Sequence, residues 1–210
     1  MSAADFAPPD GLPPWPSQSR RPGTPAEQSA VNDYALAQRR ALAAAVRARP
    51  HADVWIQARR HAEAIEALLA PSEVAENRRI YGQLRQFPGR AQNLVPAVEV
   101  LERDRDGVRA EVVLDELYLG ANGAAHGGVL GLIFDELLGQ QANTERSKAR
   151  TAYLHVNYRA ITPIGVRLRL RGWFVSEQGR KRVLAGSAHV GDRLVADAEG
   201  LFVQLRPGQP

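Results

Sequence analysis

The chain has 210 residues, 44% of them hydrophobic and 24% charged, with a formal net charge of +4 and no cysteine. These proportions exclude a collagen, a coiled-coil rod and a wholly disordered chain, and the length suits one domain with an appendage. The lack of cysteine excludes a disulfide framework, Cys-ligated zinc, iron–sulfur clusters and a cysteine nucleophile, and it favours a reducing compartment. Although the pI is near 9.8, the basic residues are spread over both halves and the second half is nearly neutral, so no nucleic-acid partner is expected. Residues 1–25 lack an apolar run long enough for a secretion signal, and the longest apolar run, around Ala41–Val46, is far short of the roughly 20 residues of a membrane span. A cytoplasmic chain with no membrane partner is the expectation.

Seven prolines between Pro8 and Pro25 mark residues 1–26 as a Pro-rich flexible arm, with Phe6 and Trp15 as its aromatics. Residues 27–90 follow as a helical extension rich in Ala, Leu, Arg and Glu. Pro50-His51 divides it into two helices. The first carries a stripe through Val31, Tyr34, Ala35, Gln38, Leu42, Ala45 and Val46, the second through Val54, Ala58, His61, Ile65, Leu68 and Leu69. A shorter third segment opens at Pro71-Ser72 and ends before Pro88-Gly89. Both stripes are too thin for an independent core, so this hairpin is expected to pack against the remaining domain, residues 91–206.

In that domain Val95–Glu102 and Val108–Leu117 read as strands around an Asp106-Gly107 turn. A Gly/Ala/Asn loop, 118–125, leads to an apolar segment from Gly127 to Gln141. Four strand-like stretches complete the chain: Ala149–Ala160, Val166–Ser176, Arg182–Val190 and Leu194–Leu205. The order ββαββββ predicts an α+β fold, an antiparallel sheet with one helix.

The helix is apolar almost all round from Val129 to Gly139, which predicts burial, yet it contains Asp135-Glu136. Gly131, Leu132, Leu138 and Gly139 surround Asp135 at helical spacing. A carboxylate buried there costs several kcal/mol by rough estimate unless partnered, and such acids cluster at functional sites. At the helix entrance stands His126-Gly127-Gly128, where first-turn amides and the helix dipole suit an oxyanion and His126 is placed to donate to the same oxygen. Gly128 and Asp135 are seven residues apart, roughly 10 Å along the axis, too far for one reacting carbonyl. Two antiparallel helices in a two-fold homodimer would bring them together.

Tyr118-x-Gly120, His126-Gly127-Gly128, Asp135-Glu136 and then Thr151 in the following strand resemble the hotdog-fold thioesterases of the PaaI-like type, including the THEM-like branch, over about residues 95–205. The resemblance implies a sheet wrapped around one central helix and an acyl-CoA thioesterase site at a dimer interface. In it Asp135 is nucleophile or general base, Thr151 positions water, and His126 with the Gly127 and Gly128 amides polarises the thioester carbonyl. CoA enters only as part of the substrate; no metal or other cofactor is implied. Many relatives of this type carry Asn where this chain has Gly120, and Asn122 is out of register, so it receives no catalytic role. Hotdog hydratases resemble an Asp-x-x-x-x-His pattern, and Gln140 stands at that His position. Arg150, Arg159, Arg180, Lys181 and Arg182 lie near strand ends where CoA phosphates dock in the family. Leu130, Phe134, Leu138 and Tyr153 are candidates to line an acyl pocket. A dimer of dimers and a non-catalytic acyl-CoA-binding or scaffold module are the further possibilities.

Overall fold

The computed structural model describes residues 23–206; most of the Pro-rich arm lies outside that range. Thr24 caps helix α1 (Pro25–Arg47) reciprocally: its hydroxyl accepts from Glu27 N at 3.3 Å, and Glu27 Oε2 accepts from Thr24 N at 2.6 Å. The helix stops ahead of Pro50, and α2 (Ala52–Leu69) follows His51, so the break falls where the sequence puts it. The third segment is not a helix. Residues 70–98 hold only short 3-10 turns at Ala70–Ser72, Glu76–Arg78 and Pro88–Ala91.

The stripe expected on α1 is covered only in part: Ala35 is buried and Val31, Tyr34 and Gln38 are half-buried. On α1 the buried residues are Ala35, Arg39 and Ala43, while Leu42 and Val46 are exposed. Arg39 donates to the Tyr118 hydroxyl at 2.6 Å and to the carbonyls of Gln92 and Val95, which fastens α1 to the body. The two flanking alanines leave room for that approach. None of the residues of α2 is buried, so the expectation that the hairpin packs on the body holds for α1 alone.

Beyond the extension come β1 (Glu99–Arg103), β2 (Gly107–Val113), a small hairpin of β3 (Leu119–Ala121) and β4 (Ala124–Ala125), helix α3 (Gly127–Ala142), and then β5 (Ala149–Tyr158), β6 (Arg167–Gln178), β7 (Lys181–Val190) and β8 (Arg193–Gln204). Six strands form one antiparallel sheet in the order β1-β2-β6-β7-β8-β5, which leaves β1 and β5 at its edges. Alternation sorts the faces: on β6, Leu168, Leu170 and Gly172 are buried while Arg167, Arg169 and Arg171 are exposed. Leu130, Ile133, Phe134, Leu137 and Leu138 of α3 fill the space over the buried face. The helix sits close because glycines lie beneath it. A Cβ at Gly172 would stand 2.8 Å from Leu138 Cδ2, and one at Gly186 3.1 Å from the Phe134 ring. This is the hotdog architecture, an antiparallel sheet wrapped on one central helix, with an N-terminal helical extension.

Candidate functional site

The loop before α3 is built to present His126. Asn122 and Gly123, both left-handed with φ of 52° and 74°, turn the β3–β4 hairpin, as a two-residue hairpin loop requires. Asn122 is thus a turn former. Tyr118 O accepts from His126 N and Thr162 O accepts from Ala125 N, both at 2.8 Å. A Cβ at Gly120 would lie 3.0 Å from His126 Cα and 3.1 Å from its N, so the backbone approaches here only because residue 120 has no side chain.

His126 is the N-cap of α3, and its Nδ1 accepts from Gly128 N at 3.1 Å. That bond leaves Nε2 to carry the proton of the neutral ring. Of the two amides expected to face an oxyanion, Gly128 N–H is therefore already engaged by His126. Gly127 N–H, in the first turn, has no intrahelical partner, and Gly127 O accepts from the Tyr158 hydroxyl at 2.9 Å.

Asp135 departs from the expectation of burial: it is exposed in the single chain. The residues of α3 that face the sheet are Leu130, Ile133, Phe134, Leu137 and Leu138, and Asp135 points away from them, toward the β5 edge. Thr151 Oγ1 donates to Asp135 Oδ1 at 2.8 Å. A β-bulge at Ala152 makes this possible. Thr151 lies opposite the buried Phe202, on the helix side, whereas after the bulge Tyr153 lies opposite Leu201 and turns outward. Tyr153 stacks on His155 and donates to Glu199 at 3.0 Å. Tyr153 is therefore on the face away from α3 and does not join the other acyl-lining candidates. Leu130, Phe134 and Leu138 are themselves sealed in the core rather than set along an open wall.

The candidate phosphate contacts divide. Arg159 is paired with Asp197 at 2.5 Å, a bond that raises its pKa, and Arg180 donates to Gln204 O at 2.9 Å. Arg182 is buried, donating to Glu177 and Ser147 Oγ at 2.9 Å, Ala142 O at 2.8 Å and Ser147 O at 2.6 Å, so it braces the end of α3. Arg150 and Lys181 are exposed and make no ion pair among the described residues.

One group escapes sequence reasoning. Gly89, Arg90 and Ala91 are all left-handed, with φ of 61°, 57° and 53°, and Arg90 Nε reaches Glu136 Oε1 at 3.0 Å. Glu136 also accepts from Gln140, which accepts from Arg103 at 2.8 Å. Burial and then the neighbouring Arg85 lower the pKa of Arg103, and a cavity of about 30 Å³ lies among these groups. The extension is thus coupled to the residue next to Asp135. The only sequence signal was the second carboxylate of Asp135-Glu136. No group of three or more His, Cys, Asp or Glu suited to a metal occurs among the described residues, and no helix there is long and apolar enough to cross a membrane.

Comparison with protein-family models and with curated proteins gives no match. Among solved structures, one described as a thioesterase superfamily protein superposes with a TM-score of 0.72 at 29% identity, covering 88% of this chain and 94% of that one. AziG of S. sahachiroi shares the fold at a TM-score of 0.50 and 19% identity, over 52% of this chain and 91% of its own. The first likeness extends past the sheet and α3 into the N-terminal helices. Fold and site define a hotdog-fold protein. Its likeness is to the thioesterase superfamily.

Proposed function

We propose that two copies of this chain form a site that hydrolyses an acyl-CoA thioester to the free carboxylic acid and CoA. The observation that carries this reading is the Thr151–Asp135 pair, a carboxylate held by a hydroxyl at 2.8 Å on a side of α3 turned away from the core. Gly128 and Asp135 are separated by roughly 10 Å of helix, so a single chain leaves the two halves apart. Antiparallel α3 helices about a two-fold axis would set His126 and Gly127 of one protomer against Asp135 and Thr151 of its partner. The free side of the edge strand β5 supports the same dimer, since its unpaired backbone groups suit a second copy.

In this site the thioester carbonyl oxygen accepts from His126 Nε2–H and Gly127 N–H. Asp135 then works in one of two ways. As general base it takes a proton from a water held by Thr151; the water oxygen bonds to the carbonyl carbon, the C–S bond breaks, and the departing thiolate receives the proton. As nucleophile its oxygen bonds to the carbonyl carbon and expels the thiolate, and water then cleaves the resulting anhydride. A thioester has a good leaving group, so a carboxylate suffices for either route. Arg150 and Lys181 are better suited to the CoA phosphates than Arg159 and Arg180, whose Nε groups already donate to Asp197 and to the Gln204 carbonyl.

Hybrid dimers test the shared site. His126→Ala and Asp135→Asn are each expected to be inactive, and an equimolar mixture after subunit exchange regains about a quarter of wild-type turnover, because half the dimers then hold one intact site of two. No recovery in a mixture shown to have exchanged would contradict a shared site.

A further inference from the structure

In α2, sequence and surroundings disagree. Val54, Trp55, Ala58, Ile65, Leu68 and Leu69 share one side of its 18 residues, with Arg60 and Glu63 on the other. Such a stripe is made to be covered, since most of a helix's stability in a protein comes from packing its apolar face. Yet Trp55 is 43%, Leu69 50% and Leu68 75% exposed. The place where α2 starts is fixed. Arg39 anchors α1 to the body, and Arg47 pairs with Glu116 at 2.8 Å, so α1 ends beside the turn that leads into Tyr118 and the His126 loop. From that rim α2 departs without burying a residue against its own chain.

We propose that α2 is an exchanged arm that docks its apolar face on a second copy of this chain, across the shared site and onto the half bearing Asp135 and Thr151. The proposal rests on the dimer reading above. In that dimer the partner's Asp135–Thr151 surface, exposed in the single chain, lies against the His126 loop and so next to the rim from which α2 leaves. The reach is sufficient, since 18 residues span about 27 Å and in the dimer the partner's half of the site adjoins the His126 loop beside which α2 starts. The area also fits. A helix about 27 Å long and 10 Å wide covers roughly 270 Å², and with exchange each protomer loses that much on its arm and again beneath its partner's arm. The resulting 540 Å² or so is about two-thirds of the roughly 800 Å² that each side of a stable interface buries, and the β5 edge supplies the remainder. A lipid surface suits α2 less well, because Asp53, Glu63 and Glu66 outnumber Arg59 and Arg60. Each site would then be roofed by the protomer that contributes His126, with Trp55 in the arm's first turn.

The Cys-free sequence permits a direct test. Ala62→Cys in the full chain, at the margin of the apolar face, is labelled with a benzophenone maleimide, confirmed by sedimentation to be dimeric, and irradiated. The expected product runs at twice the chain mass on a denaturing gel, with the adduct mapping to α3 or β5 of the partner. A dimer that yields only intrachain adducts, or none, overturns the arm while leaving the dimer intact. If unlabelled wild type sediments as a monomer, the dimer reading fails and the arm with it. As a second measurement, Trp55→Asp with Leu69→Asp is expected to raise the dimer dissociation constant at least tenfold, and Arg60→Ala, on the opposite face, to leave it unchanged. Equal dissociation constants for both variants and wild type also overturn the arm.

Discussion

At Gly120 a methyl group would meet the His126 backbone at 3.0 Å, and neither partner is a flexible side-chain end that could move aside. Gly120→Ala is therefore expected to cost about 1–3 kcal/mol in thermal or denaturant unfolding and to lower turnover by displacing the His126 ring. Thr151 makes a second single-residue case. Its hydroxyl, rather than its β-branch, holds Asp135, so Thr151→Ser should keep most of the activity while Thr151→Val, similar in shape, loses it; equal kinetics for the two would contradict the assignment. As candidates, His126 and Asp135 were legible in the residues themselves, an entrance histidine and a carboxylate on one apolar helix, and Thr151 only through the resemblance to the hotdog thioesterases. The side on which Tyr153 emerges was not, because the bulge at Ala152 interrupts the two-residue alternation and no residue type announces it. Arg90 meeting Glu136 was equally hidden, since a run of left-handed backbone brings together segments far apart in the chain.

Among the elements, the strands and α3 fall close to where alternation and apolar length put them; β2, β6, β7, β8 and α3 each bury a face, while the edge strands β1 and β5 stay mostly exposed. The extension was read less well. Composition identifies its two helices, but a stripe read from apolar residues cannot foresee that α1 buries Arg39, whose donors are satisfied by Tyr118 and two carbonyls. The β6–β7 corner carries a pH-dependent tie. Glu177 accepts from Arg146 at 3.1 Å and Arg182 at 2.9 Å, and these bonds, that of Arg146 foremost, hold its carboxyl below the usual 4.5. A carboxylate depressed in the folded state contributes stability above its unfolded pKa and loses it as pH falls through the folded value. Stability should thus decline on acidification through and below pH 4.5 or so, and Glu177→Gln should flatten that part of the curve. Unfolding midpoints across that range check the point; a wild-type and Glu177→Gln pair with identical acid dependence would contradict it.

For the whole molecule, three features support the proposed dimer: His126 and Asp135 lie at different positions along α3, the edge of β5 has no partner strand among the described residues, and α2 has an uncovered apolar face. Composition and periodicity describe only one chain, so they point to candidate residues and not to the surfaces a second copy would supply. The central claim is thioester hydrolysis carried by Asp135, and thiol release from short, medium, long and aromatic acyl-CoAs measures it directly. We predict that wild type releases thiol from at least one of them, and that Asp135→Asn, equally folded, is slower by about 100-fold or more, as loss of a base or nucleophile requires. Binding of acyl-CoA without thiol release by wild type, or unchanged release by Asp135→Asn, would contradict the account.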